Sequence, residues 1–446
     1  MKNKLRRWNF QKALTAFCLL FSLLFTTGCD AKIGASVDTL LKPPSLSEEQ
    51  EQIYLALQDC VGDNITLQYP RSGNNLSAFT IADLDDDGED EALIFYKKTS
   101  LIAVENTLRV GVLNQVDEQW QVVCDIPADG AEIETVEISP MGAESRNRIF
   151  FGYSGTDQSD KLLTIYTYED GMMTQLFTTN YTMFDVEDMD NDDQKELLVL
   201  TRTTDAANAA AAMYRLNTQE NVNLSGKLDL RTSFTDYSQI LYSKRSDNTP
   251  AIFVDGQSST ATVMTEIFCV SEGILAYVLE NSEAVAATAR TVGYISMDID
   301  GDGSIEIPVQ ESFPGYEEDA SDQVKLTRWL ELNGNQLTEK TRGYFDLSDG
   351  CMFLLPKAWY ETVTAITDAL TGDIVFCRYD GEITDDMIEL MRYGVVQEEE
   401  EIEDRESDGY LLIHTKGKAQ YYFKAEDSDD SLTKDWKELL TCFRFI

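Results

Sequence analysis

Histidine is almost absent from this chain, since His414 is the only one among 446 residues. Nucleophilic triads and most catalytic zinc sites require histidine, so neither is a favoured hypothesis. No P-loop, HExxH or GxSxG-type pattern is present either. His414 lies in a predicted strand, where we expect a packed or surface residue rather than a catalyst.

Cysteine does not form a metal-binding pattern. Beyond Cys18 and Cys29 near the N-terminus, six cysteines are widely spaced and contain no CxxC pair, which makes a zinc site improbable. Most of them lie in apolar runs, as buried free thiols do. A disulfide among three of them remains open as an alternative: Cys351, Cys377 and Cys442.

Basic residues are scarce, with 36 Lys and Arg against 79 Asp and Glu, for a net charge of −43. So acidic a surface repels nucleic acid and anionic membranes, and it favours solubility in a salty exterior. The acidic run that starts at 398–401 is expected to be a solvated loop. No segment after the N-terminal region is apolar and long enough to span a bilayer.

The N-terminus has the pattern of a targeting segment. Five basic residues precede an apolar stretch at 13–25, and the sequence Thr26-Thr-Gly28-Cys29 follows. This resembles a bacterial lipoprotein signal peptide at 1–28, with cleavage before Cys29 and lipidation of its sulfur. An uncleaved anchor and an ordinary signal peptide are the alternatives. Residues 29–46 are then a tether, and the protein is expected on the extracellular face of a cell membrane, attached through its lipid.

Three acidic loops share one spacing, which is the most informative pattern in the chain. Each carries carboxylates at loop positions 1, 3, 5 and 9 and offers a backbone carbonyl at position 7. The candidate ligands, in order, are Asp83, Asp85, Asp87, Glu89 and Glu91; Asp188, Asp190, Asp192, Gln194 and Glu196; and Asp298, Asp300, Asp302, Ser304 and Glu306. Such a set of oxygens suits Ca²⁺, which takes six to eight oxygen ligands in flexible geometry. Up to three structural calcium ions are therefore expected.

Position 6 of each loop requires a sharp backbone turn. Gly88 and Gly303 allow it freely, whereas Asp193 must adopt a left-handed conformation that Asp tolerates only modestly. Two observations exclude an EF-hand. Position 12, which should supply an oxygen ligand, is apolar in all three loops (Ile94, Val199 and Val309). The residues after each loop have the pattern of buried strands rather than of helices.

The loops mark an internal repeat. Their starts lie 105 and 110 residues apart, and copies without the acidic loop lie between them. The strands that begin at 92, 149, 197, 251 and 307 are separated by 57, 48, 54 and 56 residues, and a predicted hairpin follows each. Several hairpins turn on glycine: Gly171, Gly273 and Gly334.

Four strands in about fifty residues is the size of a propeller blade. The sequence therefore predicts a mainly β fold, a β-propeller of about five to seven four-stranded blades, of which 77–346 supply five. The predicted units run at 77–128, 129–178, 179–232, 233–285 and 286–346. The alternatives are a row of unrelated antiparallel sheets and a β-sandwich.

The loop pattern Asp-x-Asp-x-Asp-Gly-x-x-Glu between two strands, at blade spacing, resembles the FG-GAP or VCBS repeats of integrin-α-like β-propellers. The resemblance covers about residues 77–346 and implies that each loop binds one calcium. The chain departs from the family's pattern in having Glu at position 9 and Asp193 in place of Gly, and two units lack the loop. The second loop thus departs furthest.

The regions that flank the repeat are less regular. Residues 47–76 are predicted to form a helix and a lead-in strand; a capping-box match at Ser47 and Gln50 begins the helix, which has Ile53, Tyr54, Leu57 and Cys60 on one face. Residues 347–446 are predicted either as a small α+β module or as further blades, with a helix after 431–435 that carries Trp436, Leu439, Leu440 and Phe443 on one side.

Two functional classes remain. The favoured one is a non-enzymatic surface scaffold that binds an extracellular protein or polysaccharide. The alternative is a glycan hydrolase or lyase, since two carboxylates suffice for glycoside hydrolysis. Strand aromatics that could stack sugars in the second class are Trp120, Tyr153 and Trp329, although such residues more often belong to a core.

Overall fold

The computed structural model describes residues 46–98, 108–155, 161–244, 250–317, 323–397, 405–427 and 430–446. The predicted signal peptide, Cys29, nearly all of the tether and the start of the acidic run at 398 lie outside these residues. Two compact units are distinguished, residues 1–56 and 57–446. Every strand named below belongs to the second unit.

The first described element is a helix, α1 (Glu48–Val61). Its N-terminus is the predicted capping box, because the Gln50 backbone N–H donates to Ser47 Oγ and the Ser47 N–H donates to Gln50 Oε1, both at 3.1 Å. Ile53 and Leu57 are buried, while Cys60 is exposed. The apolar face is therefore narrower than predicted.

Six antiparallel sheets follow in chain order. In the second and third sheets consecutive strands pair, whereas in the first sheet the two opening strands both pair with the third. Sheet A contains β1 (Ile65–Leu67), β2 (Phe79–Ala82), β3 (Glu91–Lys98), β4 (Leu108–Val116) and β5 (Gln119–Pro127); sheet B contains β6 (Glu132–Met141), β7 (Arg146–Ser154), β8 (Lys161–Glu169) and β9 (Met172–Tyr181); sheet C contains β10 (Met183–Glu187), β11 (Glu196–Thr201), β12 (Ala210–Leu216) and β13 (Val222–Asp229).

The last three sheets vary the same plan. Sheet D contains β14 (Asp236–Lys244), β15 (Pro250–Gln257), β16 (Thr262–Ser271), β17 (Ile274–Tyr277) and β18 (Arg290–Thr291); sheet E contains β19 (Glu306–Ser312), β20 (Lys325–Asn333), β21 (Gln336–Asp346), β22 (Cys351–Leu354) and the C-terminal β28 (Phe443–Phe445); sheet F contains β23 (Val363–Thr367), β24 (Ile374–Arg378), β25 (Glu389–Val396), β26 (Leu411–Lys416) and β27 (Ala419–Ala425). The mainly β prediction is confirmed, and the propeller stays a prediction. Sheets A to E follow the order of the predicted repeat units, but sheet A already begins at Ile65 and sheet E extends beyond 346.

The predicted hairpin turns form for a local reason. Asp170 and Gly171 both have positive φ, at 50° and 75°, and so do Glu272 and Gly273, at 52° and 75°. Two consecutive positive φ values define the type I′ turn, whose twist matches that of the two flanking strands.

Each sheet packs against the next one along the chain. Consecutive side chains of a strand point to opposite faces, so Phe151 contacts Phe95 of sheet A (ring centroids 5.6 Å apart), whereas Phe150 contacts Phe184 of sheet C (6.2 Å). Five apolar cores are built in this way, with one residue of each sheet as example: Leu93 and Phe151 (A and B), Phe150 and Leu197 (B and C), Leu198 and Val254 (C and D), Phe253 and Ile307 (D and E), and Tyr344 and Phe376 (E and F).

The C-terminal hundred residues continue the sheets. Strand β21 ends at Asp346 and pairs with β22, which in turn pairs with β28, so sheet E extends across the predicted limit at 346. Sheet F adds a further unit. The predicted C-terminal helix is short, α3 (Trp436–Leu440), and Asp435 caps it; a second short helix, α2 (Ser282–Ala286), precedes β18. Phe443, predicted on the C-terminal helix, instead begins β28.

Candidate metal centres

The three acidic loops occupy equivalent places in sheets A, C and E. Each connects two antiparallel segments whose paired ends are Ala82 and Glu91, Glu187 and Glu196, and Met297 and Glu306. We call the segments from position 1 to position 9 loop 1 (83–91), loop 2 (188–196) and loop 3 (298–306). A strand follows each of them, β3, β11 or β19, as predicted. The EF-hand remains excluded.

The position-1 aspartate organises each loop. Asp83 Oδ2 accepts from the Gly88 N–H at 2.9 Å, Asp188 Oδ2 from the Asp193 N–H at 3.0 Å, and Asp298 Oδ2 from the Gly303 N–H at 2.9 Å. The position-6 residue that donates this bond has a left-handed backbone in all three loops, with φ of 90°, 65° and 84°. The sharp turn predicted at position 6 is confirmed, and Asp193 adopts it without glycine.

The position-9 glutamate is buried in each loop, with 2% exposure for Glu91, 1% for Glu196 and 0% for Glu306. In each case Oε2 accepts from the backbone N–H of position 2, at 2.9 to 3.0 Å. Burial raises the pKa of Glu91 and of Glu196 to about 7, and it raises the pKa of Glu306 as well. A buried carboxylate of this kind is stabilised by a cation beside it.

The structure brings most of the predicted ligands together. In each loop, three carboxylate oxygens lie within 4.8 Å of one another: those of Asp83, Asp85 and Glu91; of Asp188, Asp190 and Glu196; and of Asp298, Asp300 and Asp302. Asp87, Asp192 and Glu306 are outside these groups. The position-7 residues Glu89, Gln194 and Ser304 donate their backbone N–H groups to the position-5 carboxylates at 2.8 to 2.9 Å.

The three loops differ in how well they fit a metal ion. In loop 1, no basic side chain among the described residues forms an ion pair with Asp83, Asp85 or Glu91, and Asp85 Oδ1 is buried without a hydrogen-bond partner, as Asp190 Oδ1 is in loop 2. In loop 2, the Arg215 guanidinium contacts Asp190 and Glu196. In loop 3, the Lys340 ammonium contacts Asp300, Asp302 and Glu306. Loop 1 therefore fits Ca²⁺ best, although loop 3 has the more regular sequence.

Loop 1 is also joined to the neighbouring sheet. At the start of β7, the Asn147 backbone N–H donates to Asp86 Oδ2 at 2.8 Å, and its side-chain amide donates to the Asp83 carbonyl at 2.9 Å. A conformational change in loop 1 would consequently affect sheet B as well as sheet A.

A cavity of about 480 Å³ lies between the first strands of sheets B, C and D. It contains two half-buried carboxylates, Glu137 on β6 and Asp185 on β10. Burial raises the pKa of both side chains, and Asp185 further raises that of Glu137. Sequence reasoning missed this pair, because single acids in a chain with 79 of them carry no local signal.

A second cavity of about 600 Å³ lies in the C-terminal region and includes Trp436, whose side chain is 43% exposed. Carboxylates of Glu426, Asp427 and Asp435 line the same cavity. An exposed indole beside hydrogen-bonding side chains can stack against an apolar face of a ligand while its polar groups are satisfied.

The aromatics proposed from the sequence as sugar-stacking residues cannot play that part. Trp120 is 7% exposed, and Tyr153 and Trp329 are fully buried, so these residues belong to the cores. His414 stacks on Phe445 with ring centroids 4.1 Å apart, which confirms that it is a packed residue.

No disulfide joins the six described cysteines, and Cys351, Cys377 and Cys442 are not paired with one another. Burial raises the pKa of Cys351 to about 12, which makes its thiol unreactive. Among the described residues, no helix has the length and apolar character required to cross a membrane.

No family model matches the chain, and no curated protein matches it. Among solved structures, a hypothetical selenium-binding protein from Sulfolobus tokodaii is 12% identical over 47% of this chain, with a TM-score of 0.29, and the chain spans 55% of its length. A functionally unknown protein from Desulfotomaculum acetoxidans is 10% identical over 72% of this chain and 89% of its own, with a TM-score of 0.31. A protein from Lactobacillus plantarum is 11% identical over 72% and 86%, with a TM-score of 0.30. Scores this low assign neither fold nor function.

Proposed function

We propose that this chain is an extracellular, lipid-anchored β-propeller that binds calcium and serves as a non-enzymatic binding scaffold for a protein or polysaccharide. The observation that carries the proposal is loop 1, where three carboxylates converge, one of them the buried Glu91, and no basic side chain of the described residues neutralises them. The family resemblance to FG-GAP and VCBS repeats belongs to the same proposal. Six successive sheets, three of which carry the acidic loop at an equivalent place, support it.

Calcium has a structural role in this proposal. A bound ion would hold both ends of the loop, since Asp83 and Asp85 follow β2 while Glu91 begins β3. Because Asn147 of sheet B donates hydrogen bonds to loop 1, a rigid loop would also stabilise the start of β7. Extracellular modules bind calcium with dissociation constants of roughly 10⁻⁴ to 10⁻³ M, which matches the concentration outside cells.

The test is thermal unfolding with and without calcium. Chelation should lower the melting temperature of the full chain and added calcium should restore it, whereas Asp85→Ala should abolish this response. Asp90→Ala, in the same loop but outside the ligand set, is the matched control and should keep the response. A stripped sample that melts at one temperature whatever the calcium concentration would refute the proposal.

The partner is proposed to bind near Trp436, where an exposed ring and three carboxylates share one cavity. Glycan-array and pull-down screening should identify a ligand, and Trp436→Ala should weaken its binding at least tenfold while leaving the melting temperature within about 1 °C. Trp436→Phe, which keeps an aromatic face, is the control. Equal binding by the wild type and Trp436→Ala would place the partner elsewhere.

The lipid anchor is proposed from the N-terminal sequence. Cys29→Ser should release the protein from the membrane fraction into the medium, because the attached acyl chains would be lost. A membrane-bound Cys29→Ser variant would favour an uncleaved anchor instead.

A second function, glycan hydrolysis or lysis, is favoured by one observation, the pair Glu137 and Asp185 in the cavity between sheets B, C and D. A carboxyl with a raised pKa can act as a general acid, and a second carboxylate can act as base or nucleophile. Product release from cell-wall or dietary glycans, lost in both Glu137→Gln and Asp185→Asn, would establish this function. Absence of turnover across such a panel would favour the scaffold.

A further inference from the structure

Loop 3 already contains a cation of its own. Lys340 Nζ lies 2.9 Å from Asp300 Oδ2, 2.7 Å from Asp302 Oδ2 and 2.9 Å from Glu306 Oε1. These are the carboxylates of positions 3, 5 and 9, the groups that the loop pattern offers to a metal. The lysine side chain is only 17% exposed, so its charge is directed at the loop rather than at solvent.

A β-bulge places this lysine. In the pairing of β20 with β21, Trp329 pairs with Thr341 and Leu330 pairs with Glu339, so Lys340 is the extra residue between them. A bulge residue is released from the alternation of the strand, and its side chain is redirected. The ammonium thus reaches loop 3 from a neighbouring hairpin of the same sheet.

In loop 2 the basic side chain is Arg215, which lies at a different position of its sheet from that of Lys340. Arg215 follows Tyr214, the partner of Leu197 in the pairing of β11 with β12, and so lies beside Glu196 at the mouth of the loop. Its Nε is 3.3 Å from Glu196 Oε1, and its terminal nitrogen contacts Asp190. The side chain therefore neutralises positions 3 and 9.

Sheet A has an uncharged residue at both places. The bulge of β5 is Val123, because Val112 pairs with Cys124 and Leu113 pairs with Val122. Asn114 occupies the place that corresponds to Arg215, because it follows Leu113, which pairs with Ala92. Its Oδ1 accepts from the Tyr168 hydroxyl at 2.6 Å. Loop 1 consequently has no ion pair from the described residues to Asp83, Asp85 or Glu91, unlike loops 2 and 3.

We propose that Lys340 and Arg215 replace calcium in loops 3 and 2, so that the chain binds one calcium ion, at loop 1, and loss of Lys340 turns loop 3 into a second metal site. An ion entering loop 3 must first displace an ammonium that three carboxylates hold at hydrogen-bonding distance. Lys340 and Arg215 lie at non-equivalent positions of their sheets. The strand pairing that the sheets share therefore does not by itself place a basic side chain beside each loop. The inference rests on the proposed calcium binding of loop 1.

The experiment counts calcium ions bound by the full chain, by equilibrium dialysis at up to about 5 mM calcium, above the roughly 10⁻⁴ to 10⁻³ M constants of extracellular modules. The wild type should bind one ion, Lys340→Met two and Arg215→Met two. Lys340→Arg should bind one, because it keeps the charge. Lys424→Met is the matched control, since Lys424 is a strand lysine paired with Glu426, and it should also bind one.

The outcomes separate this inference from the proposed function. Three ions on the wild type, or an unchanged count in both methionine variants, would overturn the inference while leaving calcium binding in place. No ion on the wild type but one on Lys340→Met would support the replacement by lysine and refute the calcium site of loop 1. If circular dichroism shows that Lys340→Met does not fold, the numbers of calcium ions bound by the wild type and by Arg215→Met test the inference instead: one and two support it, and equal numbers overturn it.

Discussion

At the scale of single residues, two buried carboxylates of sheet D have opposite surroundings. Asp255 is 1% exposed, yet Arg290 lies 2.7 Å away and Ser296 and Thr265 donate hydrogen bonds, so its pKa is lowered in spite of burial. Glu266 is fully buried one strand away, accepts from the Arg231 N–H at 3.2 Å, and has its pKa raised by burial to about 7. Its Oε1 has no hydrogen-bond partner. Glu266 is therefore a source of pH-dependent instability.

Glu266→Gln should stabilise the protein at pH 8 by about 2 kcal/mol but not at pH 4.5. The pKa of about 7 in the folded state exceeds the ordinary value of 4.5, so the folded state keeps its proton where the unfolded state loses it. Stability is consequently lost as pH rises through this window. Chemical denaturation of variant and wild type at both pH values measures the difference. Glu272→Gln, at an exposed turn, should change neither, and an equal gain at both pH values would contradict the explanation.

At the scale of the element, the backbone conformation of each acidic loop depends on a few residues. Gly88 has φ of 90° and open space where a Cβ would be. Any cost of a side chain there is therefore backbone strain rather than a steric clash. Asp193, with φ of 65° at the same place in loop 2, shows that the turn can form without glycine but at some cost.

Gly88→Ala should destabilise the protein by about 1 kcal/mol and weaken calcium binding, because alanine disfavours the left-handed backbone that presents the Gly88 N–H to Asp83. Thermal melts at zero and saturating calcium give both effects. Asp193→Gly, the reverse change, should stabilise loop 2 without adding a calcium ion. An unchanged melt for Gly88→Ala would mean that loop 1 relaxes to another turn.

At the scale of the whole molecule, the sheets of the second unit depend on one another through the five cores. The C-terminal strand β28 adds to this dependence. The Phe443 ring packs against Phe353 of sheet E (centroids 4.8 Å apart) and against Tyr393 and Phe423 of sheet F (5.7 Å each). The last residues of the chain therefore join its last two sheets.

Phe443→Ala should cost about 3 kcal/mol, since it removes a nearly buried ring and leaves a cavity between the sheets. Arg444→Ala, on the opposite side of the same strand, should cost less than about 1 kcal/mol. Far-ultraviolet circular dichroism and tryptophan fluorescence should report one coincident transition in both variants. Separate transitions would show that sheets E and F unfold independently of the others.

The strands and hairpins were predictable because their signals are local. Alternating or continuous apolar runs marked most strands, and Asp170-Gly171 and Glu272-Gly273 marked two turns. Strand β25 has a weaker local signal, because Arg392 and Gly394 interrupt its apolar pattern. Gly394 is required there for a distant reason, since a Cβ would come within 2.0 Å of Asp373 Oδ1. The carboxylate pair Glu137 and Asp185 was missed for a similar reason, because it is assembled from different sheets.

The mainly β repeat and the positions of the acidic loops follow from the amino-acid order alone, because apolar alternation, turn residues and loop spacing act within a few residues. Which acidic loop has a basic side chain beside its carboxylates depends instead on contacts between distant residues. Lys340 lies 34 residues from Glu306, and Arg215 lies 25 residues from Asp190. Whether such a side chain reaches a loop depends on strand register and on one bulge, neither of which the local sequence specifies.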